Sequence, residues 1–199
     1  MSVWWPLDDH YNRGEGRNQA PNVPQNFIAS LVYQLPFGPG QPWLSSAPRA
    51  AELFLGGWQL STISRLQSGT PLTFSAAYDN LGSGVTNRAN LTCSSVRTIG
   101  SVSKWFDTSC FTTPPPLQLG NSGSGKVHGP GYYNADISLS KSEAIHESMK
   151  VSVQLDAFNF TNTPHYSNPD TNLGHSNFGQ IGGTNGNPRQ LQIGAHFTF

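Results

Sequence analysis

The chain has 199 residues, enough for one domain with its own core, yet only 36% are hydrophobic and only 11% charged, against about a quarter charged in an ordinary soluble domain. A formal net charge of zero and the lack of any basic run exclude an electrostatic footprint for nucleic acid. Aromatics at 11%, alongside 21 Gly and 15 Pro, exclude the usual highly charged disordered chain and suit short strands joined by long loops.

Residues 1–25 read as a loop or the truncated end of a preceding segment. The stretch from Met1 to His10 has neither a basic n-region nor an apolar h-region, so it is not a signal peptide. Residues 26–199 read as an all-β domain of about five antiparallel, up-and-down strands, because five segments alternate apolar and polar residues with a period of two. The first runs from Asn26 to Leu35, with Phe27, Ala29, Leu31, Tyr33 and Leu35 on one face and Ser30 and Gln34 on the other. Ala50 to Leu55 is able to form a helical turn that Gly56-Gly57 would stop.

The second strand, Gly57 to Phe74, sets Trp58 and Leu60 against Gln59, Ser61 and Arg65, and continues past Pro71 to Leu72 and Phe74. The third, Tyr133 to Ser142, alternates Tyr133, Ala135, Ile137 and Leu139 with Asn134, Asp136, Ser138 and Ser140. The fourth, Met149 to Phe160, sets Val151, Val153, Leu155 and Ala157 against Ser152, Gln154 and Asp156. The fifth ends the chain, with Leu191, Ile193, Ala195, Phe197 and Phe199 on one face. A soluble sandwich and a lipid-facing barrel both produce this alternation, and barrel strands need only about 9–11 residues to span a bilayer.

The connections add information. About 57 residues separate the second and third strands and about 28 the fourth and fifth, far beyond a hairpin loop of 2–5 residues. Glu143 to Ser148 is by contrast a tight turn. Long loops at one end and short turns at the other are the asymmetry of outer-membrane barrels. On that reading Ala76–Pro130 and Thr163–Asn187 are extracellular, ligand-facing loops. Arg65, Asp136, Gln154 and Asp156 then face the lumen. Tyr33, Phe37, Trp43 and Trp58 sit near one set of strand ends, and Tyr132, Tyr133, Phe158 and Phe160 near the other, where interfacial girdles belong.

Several segments carry a family resemblance in their order. They are Leu35-Pro-Phe-Gly38, Leu55-Gly-Gly-Trp-Gln-Leu-Ser61, Leu66-Gln-Ser-Gly-Thr-Pro-Leu-Thr73, Trp105-Phe-Asp-Thr108, Gly129-Pro-Gly-Tyr132, Asp136-Ile-Ser-Leu139, Phe158-Asn-Phe-Thr-Asn162 and Pro188-Arg-Gln-Leu-Gln192. This order resembles the carboxy-terminal barrel of TonB-dependent outer-membrane receptors of the Oar-like group, which carry an amino-terminal carboxypeptidase-regulatory-like domain. The resemblance implies a bacterial outer-membrane location, a barrel of roughly 22 strands around a plug, and energy coupling through TonB, which would reach only parts outside this chain. The terminal strand with Phe197 and Phe199 is similar to the signal read by the barrel-assembly machinery. The other partners implied are outer-membrane lipid and an unidentified ligand. A secreted carbohydrate-binding β-sandwich and an adhesin-like surface protein are the alternatives.

Chemistry is sparse. Gly120-Asn-Ser-Gly-Ser-Gly-Lys-Val127 nearly spells a phosphate-binding loop, but Val127 lacks the hydroxyl that holds Mg²⁺, and the surroundings favour a flexible Gly/Ser loop. Cys93 and Cys110 suit a disulfide closing a loop of about 18 residues, worth roughly 3 kcal/mol. The six His residues show no metal-site spacing, although His165 and His175 share a loop. Asp136 and Asp156 fall on neighbouring strands, where lumen-facing roles outweigh acid–base chemistry. The expectation is a binding and transport protein with no catalytic residue, metal or cofactor.

Overall fold

The computed structural model describes residues 23–38, 40–46, 48–82, 84, 87–146 and 149–199, except the side chain of His146. The reading of Met1–His10, and most of residues 1–25, lies outside them. So do the two residues at the tip of the Glu143–Ser148 turn. The chain divides into two compact units.

The first, a sheet unit, comprises Phe27–Leu66, Tyr133–Pro164 and Gly186–Phe199. Its strands are β1 (Asn26–Gln34), β2 (Trp58–Gln67), β7 (Tyr132–His146), β8 (Met149–Phe158) and β9 (Gln190–Thr198), with helix α1 (Arg49–Leu55) between β1 and β2. They form one five-stranded sheet in the order β1-β2-β7-β8-β9. Each strand neighbours the next sheet strand in the chain, which is an up-and-down meander and not a Greek key. β7 and β8 pair antiparallel through Leu139↔Leu155 and Ser140↔Gln154, and β8 and β9 through Leu155↔Ile193 and Gln154↔Gly194. Across the middle of β7, β8 and β9 the register sets apolar opposite apolar and polar opposite polar, except where Lys141 and Glu143 face Val153 and Val151.

Two expected boundaries move. β2 stops at Gln67, because the Gly69-to-Pro71 stretch leaves the ladder, and Leu72 and Phe74 enter the other unit. β7 continues four residues past Ser142 to His146. Lys141 and Glu143, at apolar-face positions, had broken the alternation in the sequence.

The second, an insert unit, comprises Gln67–Tyr132 and His165–Asn185 with the described end of Met1–Asn26. The two long connections were expected as loops; instead they fold around a core of their own. Leu72, Phe74, Ala89, Phe106, Cys110, Phe111 and Val127 are buried there, with Phe178 packed against them. Phe74 meets Phe106, Phe111 and Phe178 at ring-centroid distances of 5.0, 4.1 and 6.4 Å. Short strands frame this core. β3 (Asn90–Leu91) pairs with β6 (Phe111–Thr112), and β4 (Thr98–Ser101) with β5 (Lys104–Phe106).

Candidate functional site

Cys93 and Cys110 form a disulfide with Cα atoms 5.2 Å apart, and Cys110 is buried in the insert core. Around it, polar side chains replace the backbone ladder that such short strands cannot supply. The Asn87 amide donates to Asn80 Oδ1 (2.8 Å) and to the Gln118 carbonyl (2.8 Å), while its Oδ1 accepts from Arg88 N (2.7 Å) and Gly120 N (3.2 Å). The Asn80 amide in turn donates to the carbonyls of Pro115 and Gln118. A buried amide with all its bonds made fixes irregular backbone as firmly as a strand does.

Gly120–Val127, expected as a flexible loop, belongs to this ordered body. A Cβ at Gly120 would collide with the Arg88 carbonyl, Ser122 N donates to Ala89 O (3.0 Å), and the segment runs on to β7, not to a helix. In the Trp105-Phe-Asp-Thr108 motif each residue has a task. Trp105 N donates to Gly179 O (2.7 Å) and its indole to His128 O (2.8 Å), and Phe106 is fully buried. Asp107 caps a 3-10 turn over Thr108–Cys110, and the Ser109 hydroxyl and backbone N–H hold its carboxyl below the usual range.

His165 and His175 take different partners. His165 is buried and stacks on Tyr132 at 4.1 Å, whereas His175 Nδ1 lies 2.7 Å from Asp170 Oδ2. Burial opposes ionisation of Asp170, but bonds from the Asn172 backbone N–H, His175 and Asn177 outweigh it and hold the carboxyl below its usual range. Among the described residues no three His, Cys, Asp or Glu side chains gather as metal ligands.

In the sheet unit the two faces differ in chemistry. Ser152, Gln154 and Asp156 of β8 and Gln192 and His196 of β9 line a groove of about 220 Å³ on the polar face. The Gln154 amide donates to both oxygens of Asp156, at 2.9 and 3.1 Å. Asp136 does not share its carboxylate with Asp156. Its Oδ1 accepts from Asn159 N (2.8 Å) and from the Asn134 amide (2.9 Å). Arg65 lies on the same face by alternation with Trp58, Leu60 and Leu66. This face is not wholly polar: Ile28 and Val32 on β1 and Ile63 on β2 are exposed there.

The apolar face is most exposed on β1 and β9, whereas Ile137, Leu139, Val151 and Val153 between them are half-buried. Leu191 is 76% and Ile193 78% accessible, with Phe27, Leu31, Tyr33, Phe197 and Phe199 also exposed. In a water-soluble sheet such a row would be the buried side. No helix among the described residues is long and apolar enough to cross a membrane, which says nothing about strands.

Two residues that sequence reasoning passed over organise this unit. Asn159 ends β8 in a left-handed conformation (φ 48°); its amide donates to Thr163 O (3.1 Å) and Asn187 O (3.2 Å), and its Oδ1 accepts from Thr163 N (3.0 Å). Its place after an aromatic strand end, with an Asn's tolerance of positive φ, was the available signal. Lys141, a cation on the apolar face, donates to three main-chain carbonyls near the end of α1. No local pattern announces that contact.

An antiparallel meander with an uncovered apolar face and a polar opposite face defines the class: the wall of a β-barrel of the outer-membrane type. A model of the outer membrane beta barrel domain family matches residues 5–192, and the chain belongs to that family. It is an outer-membrane protein of bacteria. Neither a curated protein nor a solved structure matches the chain.

Proposed function

We propose that the chain is the carboxy-terminal barrel part of a TonB-dependent receptor of the Oar-like group, serving ligand binding and energy-coupled uptake and catalysing no reaction. The exposed apolar face carries the reading. With Leu191, Ile193 and Phe197 uncovered, the side chains find an apolar solvent only in lipid. The opposite face, with Arg65, Asp136, Gln154 and Asp156, borders the lumen. Phe197 and Phe199 present the final strand to the assembly machinery, and the insert unit offers the ligand surface. TonB is met by parts of the receptor outside this chain.

The ordered motifs from Leu35-Pro-Phe-Gly38 to Pro188-Arg-Gln-Leu-Gln192 support the receptor group, and the meander order argues against the secreted sandwich. An adhesin-like surface protein, in which the insert binds and nothing passes, is favoured as the second reading by the insert's own folded core.

Sequencing the genomic DNA upstream of the Met1 codon tests the proposal. An in-frame extension encoding a signal peptide, a plug and a TonB-binding segment is expected. A reading frame without a plug would remove the transport function and leave the adhesin.

A further inference from the structure

Helix α1 (Arg49–Leu55) poses a physical problem, since its last turn exposes Leu53, Phe54 and Leu55, with Phe54 76% accessible. The final carbonyls of a helix lack intrahelical partners, and at a wet surface water fills them. Here protein groups reach those of Glu52, Leu53 and Phe54. Lys141 Nζ donates to Glu52 O (3.2 Å), Leu53 O (2.6 Å) and, just beyond the helix, Gly56 O (2.6 Å). The Trp58 indole donates to Phe54 O (2.8 Å), and Gly56 N closes on Glu52 O (2.8 Å).

The Lys141 side chain is only 7% exposed, with Glu143 Oε1 at 3.0 Å as its counter-ion. α1 has no basic residue in its last turn, so a cation from β7 complements the negative end of the helix. Polar atoms turned inward and satisfied, with apolar side chains turned outward, is the arrangement demanded by surroundings poor in water.

Its position agrees. By alternation Trp58 shares its face with Leu60, and Lys141, opposite Val153, shares its face with Leu139 and Leu155. Both reach α1. The helix is thus held on the same side as Leu139, Leu155 and Ile193.

We propose that α1 is an interfacial anchor, with Leu53, Phe54 and Leu55 set in the acyl–headgroup boundary of a phospholipid leaflet beside the barrel wall. This rests on the lipid-facing reading of the apolar face. Lys141 is a positioning residue: it turns the end of the helix into a surface that lipid tolerates.

The test is site-directed spin labelling of the complete gene product, reconstituted in phosphatidylethanolamine and phosphatidylglycerol vesicles. Cys93 and Cys110 are bonded to each other, so Phe54→Cys and, as a reference, Ile193→Cys add reactive thiols to this region. A label at 54 is expected to collide more with oxygen than with a polar nickel chelate, at a depth of about 5–10 Å, and a label at 193 to lie deeper. In Lys141→Met the label at 54 is expected to gain nickel accessibility while that at 193 does not.

A label at 54 open to the nickel chelate, with 193 protected, overturns the anchor and leaves the barrel standing. Both labels in water would overturn the lipid-facing reading itself. Leu53→Cys repeats the measurement should labelling at 54 disturb the fold.

Discussion

At the scale of single residues, the insert unit depends on a few side chains drawn from distant parts of the chain. Phe74 is fully buried against three other phenylalanines. Phe74→Ala is expected to cost about 3–5 kcal/mol, read as a lower urea midpoint of the insert. Asp170 gives the unit a pH dependence. Its folded pKa lies below the unfolded value of about 3.9, so its stabilisation is present above that pH and is lost as pH falls through the folded value. Asp170→Asn should therefore be less stable than the native chain at neutral pH, and the gap should close below about pH 4. Urea titrations at both pH values check this; a gap that stays constant with pH would contradict it. Neither residue was legible as a partner in the sequence. Phe74 was assigned to the end of a strand by its alternation with Leu72, and nothing local links it to Phe106, Phe111 or Phe178.

At the scale of elements, the strands were readable because period two is a local property. β1, β8 and β9 lie within two residues of their expected bounds, and α1 stops at Gly56 as the Gly-Gly pair implied. The error in β7 has a specific cause. Lys141 and Glu143 interrupt its apolar face and pair with each other, and the carbonyls at the end of α1 that Lys141 reaches lie far away in sequence. A Cβ on Gly56 would sit tightly, 3.0 Å from the Glu52 carbonyl and 3.1 Å from Gly38 Cα, so the neighbouring backbone would have to give by a few tenths of an ångström. The two faces predict opposite responses to the same charge. Leu155→Arg places a cation on the apolar face and is expected to cost about 2–4 kcal/mol near the bilayer midplane. Gln154→Arg, one residue earlier on the polar face, is expected to stay within about 0.5 kcal/mol of the native protein. Folding equilibria in vesicles, titrated with urea, measure both; similar values for the pair would mean that the faces do not meet different solvents.

At the scale of the whole molecule, what the sequence could not convey was that its longest connections are folded. Composition marked them as Gly-, Ser- and Asn-rich, which suits both a mobile loop and backbone pinned by side-chain amides. Asn80 and Asn87 decide for the second, through bonds that span up to 38 residues. The open sheet sets a further requirement. Among the described residues β1 and β9 each have one neighbour, and a strand edge is not tolerated in lipid. Deleting Phe199 from the complete gene product is expected to reduce its level in the outer membrane severalfold, with synthesis unchanged, as immunoblots of fractionated cells would show. Unchanged levels would remove Phe199 from the assembly signal.

The amide of Asn159 holds Thr163 and Asn187 together, so the departing and returning ends of one long excursion meet on a single side chain. The excursion is tied at its neck, so the two strand ends it joins are set by one side chain and not by the length of chain between them. Such a neck lets the stretch pack into the insert core, Phe178 included, while the place where it leaves and rejoins the sheet stays fixed.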